Sequence, residues 1–310
     1  MMSIVIPAYN EEENIEKAAS VIGGLMDEHS IPCEIIFVDD GSRDSSWSII
    51  DRLSRENSNI RGLKFSRNFG KEGAIFAGLE ACLGDCAAVI DCDLQHPPEV
   101  LIEMYSLWQK GFQVVEAVKA SRGKEGFVYK FFAKSFYRLM KSSANVSLDR
   151  ASDFKLMDRQ VVDELNALPE RLTFFRALSS WVGFKTTQVE FNVAPRNAGT
   201  TKWSFSKLMK FALSNLTGFT NAPLQAVTVC AVLSYLAAAV MLIFALVKLC
   251  QGAPDGFWLL SGLILFVGAV IMTSIGIVGY YLAKIYEEIK HRPRYIVSID
   301  TNDRKQKRKD

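Results

Sequence analysis

The sequence predicts an α/β domain with a mostly parallel sheet, followed by an interfacial helix and two transmembrane helices. Short apolar runs alternate with helical patterns along the first part of the chain, and acidic motifs directly follow two of these runs. Two later stretches contain no Asp, Glu, Lys or Arg. Strands that alternate with helices of ordinary length indicate parallel pairing with helices on both faces. Ligands bind such sheets beyond the carboxyl ends of the strands.

The predicted elements follow one another in strict alternation. Residues 34–38 have the pattern of a fully buried strand, because they are nearly all apolar and are stopped by Asp-Asp-Gly-Ser. Residues 11–28 have helical spacing, with three glutamates in the expected first turn, where they suit the helix dipole. The other predicted strands are 3–6, 60–65, 87–90, 114–117 and 186–193, and the other predicted helices are 47–56, 73–82, 98–109, 127–140 and 160–168.

The uncharged stretches, 211–247 and 256–283, are each longer than the roughly 20 apolar residues that cross a bilayer. We assign the spans to residues 224–249 and 257–283. Lysines beside an aromatic-rich apolar stripe in 201–221 are typical of a helix in the headgroup layer, although a core helix of the soluble domain is the alternative.

Charge around the spans predicts their orientation. Lys and Arg flank both spans and are absent from the short loop 250–255, so the positive-inside rule places both chain ends in the cytoplasm. The first residues also lack the pattern of a secretory signal. The predicted division is a cytoplasmic domain (1–200), the interfacial helix (201–221), a membrane hairpin (222–284) and a basic cytoplasmic tail (285–310).

Composition excludes one class of partner. The formal net charge of the 310 residues is only +2, so no global positive field indicates nucleic-acid binding. The six cysteines lack zinc-finger spacing, and we expect buried free thiols. Small residues in the second span (Gly262, Gly268, Gly276, Gly279) permit close helix contacts and are compatible with a homo-oligomer, but they leave the oligomeric state open.

Asp91 and Asp93 directly follow the predicted strand 87–90. Two carboxylates one residue apart at a strand end can both bind one divalent cation that prefers oxygen, Mg²⁺ or Mn²⁺. Such an ion would stabilise charge on a diphosphate leaving group. An acidic pair in a loop is common, however, and by itself also fits a solvated surface loop.

Three motifs stand in order at predicted strand ends: SIVIPAYNEE from Ser3, FVDDGS from Phe37 and DCDLQ from Asp91. Together they resemble the family-two glycosyltransferases with the GT-A fold, in the polyprenyl-phosphate branch that includes bactoprenol glucosyltransferases and dolichol-phosphate mannose synthase. The segments 65–71 (FSRNFGK), 152–159 (SDFKLMDR) and 196–203 (RNAGTTKW) extend the resemblance, with the two spans, to about residue 290.

The resemblance implies roles for individual residues. The implied nucleotide-sugar contacts are Pro7, Tyr9, Glu11, Asp39, Asp40, Lys71 and Asp91, and the implied metal ligands are Asp91, Asp93 and Gln95. Glu11 also fits dipole compensation at a helix start. His96 is interpreted as a loop residue, because oxygen ligands already suit a hard ion.

Asp153 stands where the family often has Gly-Asp-Phe, and the resemblance makes it a catalytic carboxylate near the acceptor, beside Asp91 and Asp93. Its use as a general base stays open, because a phosphate monoester with a second pKa of about 6 is already largely anionic near pH 7. A helix N-cap is the alternative. By matched position the acceptor phosphate contacts Arg122, Arg138, Arg196 and Lys202; surface cations attracted to anionic lipid are the alternative.

The sequence therefore predicts an enzyme that transfers one sugar from a nucleotide-sugar, with UDP-glucose favoured, to undecaprenyl or another polyprenyl phosphate. The expected reaction is a metal-dependent displacement, and the resemblance implies inversion. One alternative is a family-two glycan synthase with another acceptor, although the Gln-x-x-Arg-Trp segment usual there is absent from the sequence. The other alternative is a non-catalytic membrane scaffold with a nucleotide-binding domain.

Overall fold

The computed structural model describes residues 1–119, 152–168, 174–191 and 256–306, together with six single positions between 233 and 243. The chain divides into two units, one formed by Met1–Leu208 with Pro293–Asp310 and the other by Met209–Arg292. The predicted helices 127–140 and 201–221 lie outside the described residues, as does nearly all of the predicted span 224–249.

Strands and helices alternate through the first 119 residues, which confirms the predicted α/β class. The strands are β1 (Met2–Ala8), β2 (Cys33–Asp39), β3 (Ile60–Phe65), β4 (Cys86–Val89), β5 (Val114–Lys119), β6 (Lys155–Asp158), β7 (Thr186–Phe191) and β8 (Val297–Asp300). The helices are α1 (Ile15–Glu28), α2 (Ser46–Glu56), α3 (Lys71–Ala81), α4 (Val100–Gln109), α5 (Arg159–Ala167), α6 (Phe175–Trp181), α7 (Gly256–Ile289) and α8 (Thr301–Gln306).

The strands form one sheet in the order β7-β5-β6-β4-β1-β2-β3-β8. Among the described strands, β1 pairs in parallel with β2 and β4, β2 with β3, and β5 with β7. The pairings of β6 with β4 and β5, and of β8 with β3, are antiparallel. The sheet is therefore mostly parallel, as predicted, with β6 as an antiparallel strand inside it and β8 as an antiparallel strand at one edge.

Helix α3 packs directly on the central strand β1. A Cβ atom added to Gly78 would lie only 2.2 Å from Cγ1 of Val5, so glycine is required for the helix to approach this closely. Because α3 follows the carboxyl end of β3, its first turn lies at the edge of the sheet where ligands bind parallel sheets.

The C-terminal segment belongs to the first unit, which the predicted tail 285–310 does not anticipate. β8 extends the sheet beside β3, and Thr301 Oγ1 accepts a hydrogen bond from Gly62 N at 3.0 Å. Tyr295 stacks on Phe65 with ring centroids 5.2 Å apart. Residues 293–306 thus contain an edge strand and a short helix.

An ion pair fixes this segment, and we expect its loss to destabilise the first unit. Arg61 donates to both carboxylate oxygens of Asp300, at 3.1 and 2.5 Å, and both side chains are less than one-fifth exposed. Replacing Asp300 with asparagine leaves a half-buried guanidinium without its carboxylate, which costs about 2 kcal/mol and lowers the midpoint of thermal unfolding by about 4–8 °C. Asp163→Asn, at an exposed position in α5 with a longer ion pair to Arg159 at 3.6 Å, is the matched control. Equal loss in both variants would contradict a specific role for this pair.

Helix α7 has 34 residues, and its segment Phe266–Tyr286 is long and apolar enough to cross a membrane. No other helix in the described parts of the chain is of this kind. The segment Phe266–Tyr286 covers most of the predicted span 257–283. The prediction of two spans is not confirmed, because the other span falls almost wholly outside the described residues.

Candidate active site

The carboxyl ends of β1, β2 and β4 meet at one edge of the sheet, which we call the carboxyl edge. β1 pairs in parallel with both neighbours, so the loops that follow Ala8, Asp39 and Val89 lie side by side. The structure therefore brings together the three loops that carry the sequence motifs.

The loop after β1 is bound to the loop after β2 through Asn10. Its N–H donates to Ser42 Oγ and its Oδ1 accepts from Arg43 N, both at 2.9 Å. The backbone of Asn10 is left-handed, with φ of 55°, a conformation that asparagine adopts more readily than most residues. The neighbouring Tyr9 is 43% exposed, so its ring is accessible to a ligand, whereas Pro7 is half-buried within β1.

Glu11 lies before α1, which begins at Ile15. The N–H of Glu11 donates to Ser46 Oγ at 2.9 Å, and its carboxylate accepts from Asn14 Nδ2 at 2.6 Å. The Glu11 carbonyl also accepts from Ile15 N at 3.2 Å, so Glu11 lies at the start of the helix and compensation of the helix dipole stays an alternative. Its side chain orders the residue that precedes the helix.

Asp39 and Asp40 have different surroundings. Asp39 is fully buried, and its Oδ1 accepts from Ser42 N at 3.0 Å, whereas its Oδ2 has no hydrogen-bond donor among the described residues. A buried oxygen without a donor is costly, so this oxygen keeps an acceptor position that the described residues do not fill. Asp40 accepts from Phe69 N at 2.6 Å and from Gly70 N at 2.9 Å. Burial raises the pKa of the Asp40 carboxyl, although these two donors oppose the shift. The Asp40 carboxylate therefore joins two loops inside the protein.

Gly41 allows these two loops to touch. Its φ is 71°, and a Cβ atom there would lie 2.6 Å from the carbonyl carbon of Arg67 and 2.7 Å from Asn68 N. No other residue fits without displacing backbone.

The loop after β4 contains Asp91, Asp93 and Gln95 and is strained at Leu94, whose φ is 53°. Left-handed backbone in a bulky non-glycine residue is uncommon and tends to occur at functional sites. Gln95 N donates to Asp93 Oδ1 at 3.1 Å, which orients that carboxylate.

His96 is buried behind this loop. Its ring stacks on Phe154 at 5.3 Å and meets the edge of Phe191 at 5.2 Å between centroids. Its position is that of a packing residue that supports the loop.

The donor set on this loop fits a Mg²⁺ or Mn²⁺ ion that is shared with a substrate. In the described ranges, no group of three or more His, Cys, Asp or Glu side chains could bind a metal by itself. Asp91, Asp93 and Gln95 offer two carboxylates and an amide, all half-buried. Mg²⁺ commonly binds one or two carboxylates and takes further ligands from substrate phosphates and water. Two carboxylates are sufficient for an ion of this kind.

The Asp153 carboxylate is bound by two cations, Arg176 and Lys71, at the carboxyl edge. Arg176 donates from Nε to Oδ1 at 2.6 Å and from Nη2 to Oδ2 at 2.9 Å, and Lys71 Nζ donates to Oδ2 at 2.8 Å. Lys71 Nζ is also 2.6 Å from Asp91 Oδ1. The Asp153 side chain is 7% exposed, against 41% for Lys71 and 39% for Arg176. We call these four residues the ionic cluster.

Charges within the ionic cluster determine its protonation. Burial opposes ionisation of Asp153, but Lys71 and Arg176 outweigh it and hold the pKa of its carboxyl far below the usual range. Desolvation lowers the pKa of Lys71, but Asp91 and Asp153 outweigh that effect and raise it. Asp153 is therefore a permanent anion near neutral pH. The N-cap alternative is wrong, because Asp158 caps α5 by accepting from Gln160 N at 3.0 Å.

Glu72 joins the ionic cluster to α6. Its carboxylate accepts from Phe175 N at 2.9 Å. Burial, with a smaller contribution from the Asp153 charge, raises the pKa of Glu72 to about 7. This contact connects the first turn of α3 to the start of the helix that carries Arg176.

Arg176 and Glu72 are not among the predicted site residues. One signal for Arg176 was present in the sequence: it is a charged residue in a short segment of mainly apolar residues. Its neighbours Phe175, Ala177 and Leu178 are buried. The four predicted phosphate-binding cations, Arg122, Arg138, Arg196 and Lys202, lie outside the described residues.

Comparison with known proteins agrees with this fold and motif set. Residues 3–165 match the model of glycosyl transferase family 2. A protein described as an uncharacterized glycosyltransferase from Synechocystis is 40% identical over 302 residues, which cover 96% of this chain and 94% of the relative. The bactoprenol glucosyl transferase of Shigella phage SfV is 38% identical over 302 residues, with 96% and 97% covered. A crystal structure of glucosyl-3-phosphoglycerate synthase from Mycobacterium tuberculosis with Mn²⁺ and UDP-glucose covers 68% of this chain and 75% of its own, at 22% identity and a TM-score of 0.47.

Proposed function

Because the chain belongs to glycosyltransferase family 2, we propose that it transfers one glucose from UDP-glucose to a polyprenyl phosphate in a bacterial-type plasma membrane. Relatives named bactoprenol glucosyl transferase align over nearly the whole chain, at 38% and 37% identity, which supports both the sugar and the lipid acceptor. A helix long and apolar enough to cross a membrane is present in α7, and it suits an acceptor that is confined to the bilayer.

The observation that carries the donor proposal is the buried Asp39 oxygen without a donor, close to the loop that carries the exposed Tyr9. The Asp39 carboxylate has one oxygen bound to Ser42 N, which leaves one oxygen for a ligand. Uracil has one ring N–H between two carbonyls and matches a single acceptor, whereas guanine presents a ring N–H and an amino group side by side. A uridine nucleotide is therefore favoured, with the Tyr9 ring available to stack on the base and Glu11 near the ribose.

The leaving diphosphate needs neutralisation. A Mg²⁺ or Mn²⁺ ion held by Asp91, Asp93 and Gln95 would supply positive charge to the departing nucleotide. Lys71 adds a cation from the protein at the same edge, since its Nζ lies against Asp91. Asp91 also lies where the sugar is expected to bind, whereas Asp40 contributes by shaping the loop.

The proposed reaction is one in-line displacement. A phosphate oxygen of the acceptor forms a bond to the anomeric carbon, the bond from that carbon to the nucleotide breaks, and the nucleotide leaves with the electron pair. The acceptor is already anionic near pH 7, so no proton has to be removed. We assign Asp153 no role as a base, because Lys71 and Arg176 already bind both of its carboxylate oxygens. Its charge instead positions those cations.

The pairing of the C-terminal strand supports the proposed membrane topology. β8 pairs with β3, so the chain before and after residues 209–292 lies in one compartment. A chain that leaves and returns to the same compartment crosses the membrane an even number of times. If α7 crosses once, a second crossing is needed within 192–255, where the span 224–249 is predicted.

We therefore retain the hairpin 222–284 and the interfacial helix 201–221, with the catalytic domain 1–200 and both termini in the cytoplasm. Arg122, Arg138, Arg196 and Lys202 are proposed to bind the acceptor phosphate. The segment 293–306 is assigned to the catalytic domain rather than to a tail.

The test is a donor screen with full-length protein in detergent. Undecaprenyl phosphate, Mn²⁺ or Mg²⁺ and labelled UDP-glucose, UDP-N-acetylglucosamine, UDP-galactose and GDP-mannose are compared, and undecaprenol without its phosphate is the acceptor control. We expect transfer from UDP-glucose at least about tenfold faster than from GDP-mannose, because one hydrogen bond to a buried charged group changes affinity by about that factor.

Transfer to undecaprenol at an equal rate would contradict the phosphate as nucleophile. Transfer only from GDP-mannose would contradict the uracil assignment at Asp39. No transfer from any donor, with UDP still bound, would exclude this acceptor and favour a family-two synthase or a scaffold.

A further inference from the structure

In the ionic cluster, the ammonium of Lys71 is bound to Asp91. Asp91 is also one of the carboxylates that are proposed to bind the metal. Lys71 Nζ lies 2.6 Å from Asp91 Oδ1 and 2.8 Å from Asp153 Oδ2, which are distances of strong charge-assisted hydrogen bonds. The Asp91 side chain is 28% exposed, so an ion from solvent can reach it. The Lys71 ammonium and a divalent ion therefore compete for the same carboxylate.

Asp153 does not depend on Lys71 for neutralisation. Removing the only cation from a buried carboxylate is strongly unfavourable, but Arg176 donates to both oxygens of Asp153. Asp153 therefore keeps a bidentate partner when Lys71 moves away. Arg176 alone therefore suffices to neutralise Asp153.

Lys71 also has the freedom to move. Its side chain is 41% exposed on a flexible four-carbon stem, and it is the first residue of the 11-residue helix α3. A short change of side-chain torsions carries the ammonium away from Asp91 while the backbone stays in place. Arg176 makes two hydrogen bonds to one carboxylate, so the position of its guanidinium is much more constrained.

We propose that Lys71 is an exchangeable counter-ion: a divalent cation at Asp91 displaces its ammonium, which then binds the diphosphate of the nucleotide donor. Before the metal arrives, Lys71 neutralises Asp91 and prevents repulsion between Asp91 and Asp153. After it arrives, the same charge neutralises the leaving group. The identity of the diphosphate rests on the proposed function, whereas the competition between Lys71 and the metal does not.

The first measurement is Mn²⁺ binding to full-length protein without nucleotide, followed by the electron paramagnetic resonance signal of free Mn²⁺. Lys71→Met is expected to bind Mn²⁺ about tenfold more tightly than the wild type, because a competing positive charge next to the ion is removed. Lys71→Gln, which keeps a hydrogen-bond donor for Asp153, gives the same comparison if the methionine variant folds poorly. Arg67→Gln removes an equal charge from an exposed position on the adjacent loop and is expected to change Mn²⁺ affinity less than twofold.

The second measurement is UDP binding at saturating Mn²⁺. Here Lys71→Met is expected to bind UDP at least about tenfold more weakly, because a charge-assisted contact to phosphate is lost. Opposite changes in the two affinities distinguish an exchangeable counter-ion from a structural lysine, whose loss weakens both.

Unchanged or weaker Mn²⁺ binding in both Lys71 variants would overturn the proposal, as would an equal gain in Arg67→Gln. Failure to transfer glucose to lipid, with the two affinity changes intact, would reject the proposed acceptor and leave the counter-ion exchange standing.

Discussion

Replacing Asp93 with alanine is expected to reduce sugar transfer by about 10³-fold or more, the scale on which charge stabilisation of a transition state acts. Asp93 lies on the strained loop after β4, and its carboxylate is oriented by Gln95 N at 3.1 Å. The substitution removes one of the two carboxylates that are proposed to hold the metal, so neutralisation of the leaving diphosphate is lost. Initial rates with saturating UDP-glucose and Mn²⁺, together with Mn²⁺ affinity, measure the effect.

Asp85 provides the matched control for Asp93. It lies just before β4, at the opposite end of the same strand, and its exposed carboxylate pairs with the N-terminal amine at 2.6 Å. Asp85→Ala removes the same charge from the same strand but not from the carboxyl edge, and its rate is expected to stay within about twofold of the wild type. An Asp93→Ala enzyme with a rate within tenfold of the wild type would exclude Asp93 as a metal ligand.

Central strands and their loops could be predicted because their signals are local. β2 contains the apolar run Ile35–Val38 and ends in Asp39, and the parallel-sheet rule then places Asp39 and Asp91 at one edge. The three motif loops do meet there. The individual roles at this edge stay predictions, because family resemblance rather than a measured contact assigns them.

Elements and contacts that depend on distant partners could not be predicted. β6 and β8 have only four residues each, too few for a periodic pattern, and β8 pairs with a strand more than 200 residues earlier. The hydrogen bonds from Lys71 and Arg176 to Asp153 join residues that are 82 and 23 positions apart in the sequence. It arises from the packing of α3 and α6, which no spacing rule describes.

A buried ion pair between Lys155 and Glu116 connects the sheet to the helix that carries Arg176. Lys155 is fully buried, donates to Glu116, and also donates to Ser179 Oγ in α6 at 2.8 Å. Gln188 Nε2 donates to the other oxygen of Glu116 at 3.3 Å. The pair therefore joins β5, β6 and β7 to the helix that carries Arg176. Burial lowers the pKa of Lys155, but the Glu116 carboxylate opposes this shift and favours the charged form.

Lys155→Met is expected to destabilise the first unit by about 3–5 kcal/mol, because it leaves the buried Glu116 carboxylate without its cation. Thermal unfolding of the full-length protein should then occur about 10 °C lower. Lys155→Met combined with Glu116→Gln should recover most of that loss, because neither partner is left charged and the new amide can still bind Gln188.

Lys110→Met makes the same replacement at an exposed position after α4 and should change stability by less than about 0.5 kcal/mol. The double variant separates stability from catalysis. If it unfolds near the wild-type temperature but transfers sugar more slowly, Lys155 also acts through Ser179 to keep α6, and with it Arg176, against Asp153. Equal destabilisation by the single and double variants would show that the loss comes from packing around the Lys155 stem rather than from an unpaired Glu116.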